Sequence, residues 1–509
     1  MGTGHPTGLS LPDLAVVLVY LVGTTLVGAW FRKGQKDIQS YFVGDREVPW
    51  WLVLVSIVAT ETSTVTFLSV PGTAYNPRGG NLTFLQLALG YALGRLIIAW
   101  ILLPGYFQGR FISAYQVLRQ RFDTRVQRCA SLLFLLTRTI ADGLRLFLTA
   151  LLLQQFTGWN MPLAILVMGG LTVLYTWLGG MQAVLWTDCI QFIIYMLGAL
   201  LAGWILLASL PGGWSGFMRV GAEAGKFTLF NFSTDPATPY TLWAGVLGGA
   251  FFSMASHGAD QIMVQRYLCA KNLSHARMAL VASGVVVLLQ FLLFLLIGVG
   301  LFVLAHSGAW ELPADLRNDQ VFGRFIVEKL PMGLVGLVIA AVLAAAMSTL
   351  SSSLNSSASA GLADFYQPLR PNRTEADYLA VSRWLTLLFG GAQIGVALLA
   401  WQIDSPRSII DQVLSVAGLT TGMVLGLFLL GLMKRPVTST AALIGMGCGF
   451  AVVMSVYIPG ALGKPVVAWP WYAGIGALTT VLGALVISRP KTAGSQATAE
   501  PGIPGGRPE

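Results

Sequence analysis

Apolar and polar positions alternate along this chain in long blocks. Windows of about 20 predominantly apolar residues, the length needed to cross the hydrocarbon core of a bilayer, recur almost from end to end. They predict spans near 11–31, 49–74, 80–107, 124–157, 161–178, 183–209, 241–264, 276–305, 332–362, 377–400, 409–431, 437–458 and 470–488. The chain therefore reads as an all-α polytopic membrane protein with about 13 transmembrane helices.

Polar residues interrupt the blocks at three places, and polar groups inside hydrocarbon are costly enough to mark function. The span that opens at Pro49-Trp50-Trp51 breaks over Ser56 to Thr66, with Glu61 and six hydroxyls, and Pro71-Gly72 follows. Such an interrupted helix leaves carbonyls free to meet a ligand. The span 241–264 breaks in its turn over Ser253 to Gln261, with His257 and Asp260. The third place is the stretch from Ala344 to Tyr366, where nine polar residues fall within the twelve positions from Ser348 to Ser359. Ser348, Ser352, Asn355 and Ser359 stand at i, i+4, i+7 and i+11, so one helical face carries hydroxyls and an amide. Ala341 and Ala345 continue that face with side chains small enough for another backbone to approach. Faces of small residues and Ser also serve plain helix packing. A hard cation such as sodium wants about five or six oxygens, and hydroxyls beside loosened carbonyls supply them. This helix is expected to form half of an ion site.

Charged residues inside spans add two expectations. Arg138, Asp142 and Arg145 share one helix face and are expected to neutralise one another as a local ion pair or triad. Asp188 enters its helix with no basic residue nearby in sequence, and such a carboxylate needs a proton, a cationic partner or a bound cation. Arg266, Lys271 and Arg277 are expected to mark a cytoplasmic helix end.

Composition changes the picture in one respect. The chain is 55% hydrophobic and 10% charged, against about 25% charged in soluble domains. Its net charge of +9 invites a nucleic-acid reading, which the distribution of charge excludes. With the N-terminus outside and the C-terminus inside, roughly 20 of the 31 Lys and Arg fall in cytoplasmic segments and about 8 in external ones. The four cysteines are scattered singly and suggest neither a disulfide framework nor a metal site. The start lacks the basic lead and cleavage site of a signal peptide.

The organisation follows from the spans. An extra helix and basic loop (1–48) precede a five-span group (49–209), an external loop (210–240) and a second five-span group (241–431). Two peripheral helices (432–488) and a Gly/Pro/Ala-rich tail expected to be disordered (489–509) complete the chain. Each group opens on a broken helix, and an odd number of spans makes the second enter the membrane in the opposite direction. That is the inverted-repeat architecture of secondary transporters, with the site at the midplane beside the broken helices.

The residues now assembled resemble the sodium:solute symporter family, whose members carry sugars, proline, sialic acid, iodide and monocarboxylates or vitamins. The most specific part is the run from Tyr175 to Gln191, with Gly179-Gly180, Thr187-Asp188 and Gln191. Asp260-Gln261 with Gln265-Arg266, and Met347-Ser348-Thr349 with Leu354-Asn355-Ser356, agree with it in order. The resemblance implies a five-plus-five inverted-repeat core of the LeuT type and alternating access. It implies a sodium site of Ala59, Thr62, Ala345, Ser348 and Thr349. It permits a second site of Asp188 with Ser348, Ser351 and Ser352, unless Asp188 serves only as an exit relay. Sodium, one or two ions per cycle, is then transported rather than permanently bound. Thr66 stands where sugar carriers place an amide, and Gln290 where they place a lysine, so galactose-like recognition is not expected. Candidate substrate contacts are Glu61, Thr66, Gln86, His257, Asp260, Gln261, Gln290 and Gln412.

The expectation is a sodium-driven symporter of the plasma membrane that imports a small polar organic solute such as a sugar or organic acid. Its alternative is a proton-coupled carrier with Glu61, Asp188 and His257 as relay, whose uptake would follow pH and ignore sodium. A transporter-like sensor would need a large signalling domain, for which the stretch after Ser488 leaves no room. An enzyme is not expected, since no nucleophile–base constellation, phosphate loop or metal-ligand spacing is present.

Overall fold

A computed structural model describes residues 10–31, 37–313, 316–402 and 409–488. Residues 409–419, Val65, Gln155 and Phe156 are described by backbone alone, and the predicted tail 489–509 lies outside the described residues. Among those described there is no strand beyond an isolated bridge between Val48 and Ala270. A chain that must satisfy its backbone polar groups inside lipid has few other choices than helix.

Helix α1 (Leu11–Trp30) is followed by α2 (Trp50–Glu61) and α3 (Thr64–Tyr75), two halves of one span bent by 62°. Then come α4 (Leu85–Ile101), α5 (Thr124–Thr157) and α6 (Met161–Ala208). With 48 residues α6 would measure about 72 Å, more than twice the bilayer core. Gly180, at φ 57° and ψ −156°, breaks it into two segments. Only glycine enters that backbone region cheaply, so the Gly179-Gly180 pair connects two spans as the sequence suggested. The segment 210–240 is not simply loop, because it folds an amphipathic helix α7 (Gly213–Glu223) that buries Phe217.

The second half of the chain contains α8 (Gly249–Gly258), α9 (Gln261–Leu268), α10 (Leu273–His306) and α11 (Leu334–Ala360). After these come α12 (Glu375–Gln402), α13 (Ile409–Leu432), α14 (Ser439–Ala461) and α15 (Trp471–Ile487). Wide π-helical turns lead into α8 and out of α11. Among the described residues six helices are long and apolar enough to cross a membrane, and α2 with α3 makes a bent seventh.

Both breaks are built by local capping. Thr62 leaves helical geometry at φ −82°, ψ 99°, and Ser63 accepts a hydrogen bond from Thr66 N to start α3. Asp260 does the same for α9, its carboxylate accepting from Ile262 N at 2.9 Å. Each break therefore presents orphan carbonyls on one side and orphan amides on the other. Helix α11 occupies the middle of the molecule, packed by α1, α5, α6 and α12, and it is buried along nearly its whole length. Peripheral α1, α12 and α14 instead turn Leu26, Leu388 and Ile444 outward, as lipid-facing helices do.

Candidate ion and solute site

The first break brings α2 against α11. Because the chain leaves the helix at Thr62, the last carbonyls of α2, that of Ala59 among them, have no following helical amide. Thr349 of α11 reaches this end, its Oγ1 lying 3.1 Å from the Thr60 carbonyl and 3.3 Å from that of Ala345. Thr62 is fixed by Gln290 Nε2, which donates to its hydroxyl at 2.6 Å, and by Tyr195, whose hydroxyl donates at 3.3 Å. Ala59, Thr62, Ala345, Ser348 and Thr349 are thereby gathered where the end of α2 meets the middle of α11. All five are buried.

Asp188 lies beside this group, and Ser348 Oγ donates to its Oδ1 at 2.6 Å. Its other oxygen accepts from Ser56 and from Arg266 Nη2 at 3.1 Å. Arg266 stands in the last turn of α9, at a helix end as expected, but not on the surface. It is fully buried and also bonds Ser56, Ser352 and the Ile262 carbonyl. The cationic partner of Asp188 comes from 78 residues away in sequence, so local reading could not find it. Ser351 and Ser352 turn their hydroxyls to the carbonyl of Ser348 rather than to Asp188.

The lower part of the α11 polar stripe meets α9. Ser352 bonds Arg266, Asn355 Oδ1 accepts from Gln265 Nε2 at 2.7 Å, and Ser359 Oγ accepts from Gln261 Nε2 at 2.8 Å. Gln261 also donates to the Ile112 carbonyl and accepts from Ala114 N, while Gln265 donates to the Phe42 carbonyl. This face closes the molecule.

On the other side of the break a cavity of about 630 Å³ runs from a mouth at Asn76, Tyr240, Asp319 and Trp469 down to Thr60, Glu61, His257 and Thr349. Such a volume suits a small organic molecule. Of the candidate solute contacts, Glu61, Thr66 and His257 line it. Gln86 does not, being held among Thr83, Tyr240 and Asn231 at the mouth. Gln290 serves Thr62, Gln261 serves the closed face, and Asp260 pairs with Arg138 at 2.7 Å. The side chain of Gln412 lies outside the described residues.

Among the lining residues that the sequence reading did not count as solute contacts are Arg138 and Arg145. Of the expected local ion pair or triad around Asp142, the pair forms. Asp142 pairs with Arg145 alone, and Arg138 turns to Asp260 on the second broken helix. Their spacing of seven residues on α5 was the available signal, since it places both guanidinium groups on one face. The arginine side chains are 15% and 17% exposed, their carboxylate partners 5% and 0%. Both arginines thus line the cavity, and their carboxylate partners do not.

Glu61 is neutralised differently, by Arg95 from α4. Arg95 Nη2 also donates to His257 Nε2 at 3.1 Å. The same Nε2 lies 3.5 Å from Glu61 Oε2, and Nδ1 lies 2.9 Å from Ser256 Oγ.

The all-helical architecture and the paired breaks beside a cavity define a membrane-transporter-like fold. Residues 41–449 match the model of the sodium:solute symporter family, and the chain belongs to that family. It is 30% identical to the sodium/sialic acid symporter SiaT of Proteus mirabilis, over 87% of this chain and 89% of that one. It is 29% identical to the human sodium/iodide cotransporter, over 91% of this chain and 72% of that one. A solved structure described as the substrate-bound outward-open state of a Na+-coupled sialic acid symporter, with a novel Na+ site, superposes with a TM-score of 0.85. There the identity is 29%, with 94% of this chain and 97% of that one covered. The chain is an integral membrane protein, a sodium-coupled symporter of a small organic solute and a transporter rather than an enzyme; Na+ is its transported ion.

Proposed function

We propose that sodium binds among the carbonyls of Ala59, Thr62 and Ala345 and the hydroxyls of Ser348 and Thr349. The observation that carries this is Thr349, whose hydroxyl already bridges α11 to the open carbonyl end of α2. An ion there would tie the two helices together and hold the cavity in its open form. In our reading the spans 49–209 and 241–431 are inverted five-helix repeats about this point. Residues 1–48, 210–240 and 432–488 lie around them, and the N-terminus is outside. Asp188 with Ser351 and Ser352 is proposed to sit on the exit path, its charge balanced by Arg266.

The solute is proposed to be an organic anion. Arg138 and Arg145 turn partly exposed guanidinium edges into the cavity, and a guanidinium has five donors, of which a carboxylate partner uses few. Sialic acid and iodide, named for two relatives, are both anions. Sodium and solute must raise each other's affinity equally, and a potential of 100 mV adds about 2.3 kcal/mol per charge moved.

The test is thermal stability of the purified protein against a library of carboxylates and their neutral amides, in sodium and in potassium. Carboxylates that stabilise only in sodium are expected. Equal stabilisation by the amides would overturn the anion assignment, and equal stabilisation in potassium would overturn the sodium site.

A further inference from the structure

Helix α1 lies outside the proposed repeats, yet it fastens α11 at two levels and touches the residue that supports a third contact. At one end, buried Asp13 accepts hydrogen bonds through Oδ1 from Gly333 N and Gly336 N, both at 2.7 Å, where α11 begins. A side chain at Gly336 would leave no room, since a Cβ there would sit 2.5 Å from Asp13 Cα. At mid-membrane Tyr20 accepts from Gln191 Nε2 at 3.2 Å, and its hydroxyl faces Met347 Sδ at 3.5 Å. The Met347 carbonyl in turn accepts from Tyr175 OH at 3.0 Å, and Tyr175 is seated against Gly28 of α1. Met347 directly precedes Ser348 and Thr349 in the sequence.

We infer that α1 is a strut that sets the position of the sodium hydroxyls, with Tyr20 and Asp13 as positioning residues for ion binding. The physical basis is rigidity. A hydroxyl pair can favour a small cation only if the helix carrying it is fixed against sliding and rotation, since ligands must be held to about 0.5 Å. Asp13 opposes sliding by holding the first amides of α11 and by complementing the positive end of that helix. The Tyr20 and Tyr175 contacts oppose rotation at the residue next to the ion ligands. None of these side chains lines the solute cavity, so the strut acts on sodium and reaches the solute only through it. The inference rests on the sodium site proposed above.

The experiment measures solute uptake into proteoliposomes against sodium concentration for Tyr20→Phe, Asp13→Ala and Asp13→Asn, beside a Ser348→Ala/Thr349→Ala control. Tyr20→Phe and Asp13→Ala are expected to raise the half-saturating sodium concentration about five-fold, the worth of roughly one hydrogen bond each. Maximal uptake at saturating sodium should stay at the wild-type value. Asp13→Asn, which keeps an acceptor oxygen, should restore most of the sodium affinity. A merely structural role would lower melting temperature equally in sodium and potassium and leave half-saturating sodium unchanged, and that result would overturn the strut. The control separates the two readings. If it abolishes sodium dependence while the α1 variants stay wild-type, the strut fails alone; if it leaves the sodium curve unaltered, the ion site fails and the strut with it.

Discussion

The two halves of the polar stripe on α11 look alike in sequence and do different work. Ser348 and Thr349 stand opposite the open end of α2, where Thr349 touches a carbonyl that no helical amide claims. Ser352, Asn355 and Ser359 stand opposite α9 and are consumed by Arg266, Gln265 and Gln261. The same hydroxyl-rich helix is therefore proposed to serve sodium in one half and serves the protein itself in the other. The two breaks differ in the same way. The α2–α3 break offers carbonyls to its surroundings, whereas the polar side chains from Asp260 to Arg266 fasten α9 to α5, α6 and α11. A broken helix is thus evidence for either binding or closure, and its neighbours decide which.

The sharpest way to break this comparison is at Arg266. Replacing it with Ala leaves Asp188 buried without its cation, which should cost about 3–5 kcal/mol of stability, read as a large fall in melting temperature. Adding Asp188→Asn should recover much of the loss. A single variant as stable as wild-type would show that the pair does not close the inner half.

A milder change is Gln261→Ala with Gln265→Ala. Each glutamine joins α9 to α11, so about 1 kcal/mol per side chain should be lost. Hydrogen exchange along α9 should quicken while half-saturating sodium changes little. Loss of sodium affinity in this variant would mean that the two halves of α11 are one site.

The smallest effect concerns the far end of α3. Lys226 donates to the carbonyls of Ala74, Tyr75 and Asn76 and lies over Phe302, 3.9 Å from the ring centre. Burial lowers its ammonium to about 8. The folded protein therefore binds that proton less readily than the unfolded chain. The sign follows: a cost to folding is present below about pH 8 and disappears as pH rises towards the ordinary lysine value of about 10.4. Lys226→Gln should flatten that alkaline rise in melting temperature, and an unchanged slope would assign it to other groups.

Much of this was legible in the sequence because the bilayer imposes simple rules. The all-helical class, the Gly180 connection and both helix breaks follow from apolar windows, a glycine pair and polar residues at membrane depth. Family motifs singled out Ser348 and Thr349 for the proposed ion site, and Thr349 reaches the end of α2. What was not legible was pairing over long sequence distances. Nothing near Asp188 announces Arg266, and nothing near Arg138 announces Asp260, because each partner arrives on a different helix. For the same reason a local triad around Asp142 looked natural and proved incomplete. Gln86, Gln261 and Gln290 were plausible solute contacts as amides within spans, yet Gln86 and Gln261 are consumed by partners that only the packed structure supplies, and Gln290 spends its Nε2 on Thr62.

The most direct test of the central claim is the sodium dependence of solute uptake by the Ser348→Ala/Thr349→Ala protein in proteoliposomes. The account predicts that sodium no longer drives uptake at any concentration that saturates wild-type, in a protein that still folds in potassium with the lower melting temperature expected from losing the bonds to Asp188 and Thr60. A variant that keeps the wild-type sodium curve would contradict it, and would move the ion away from the contact between α2 and α11.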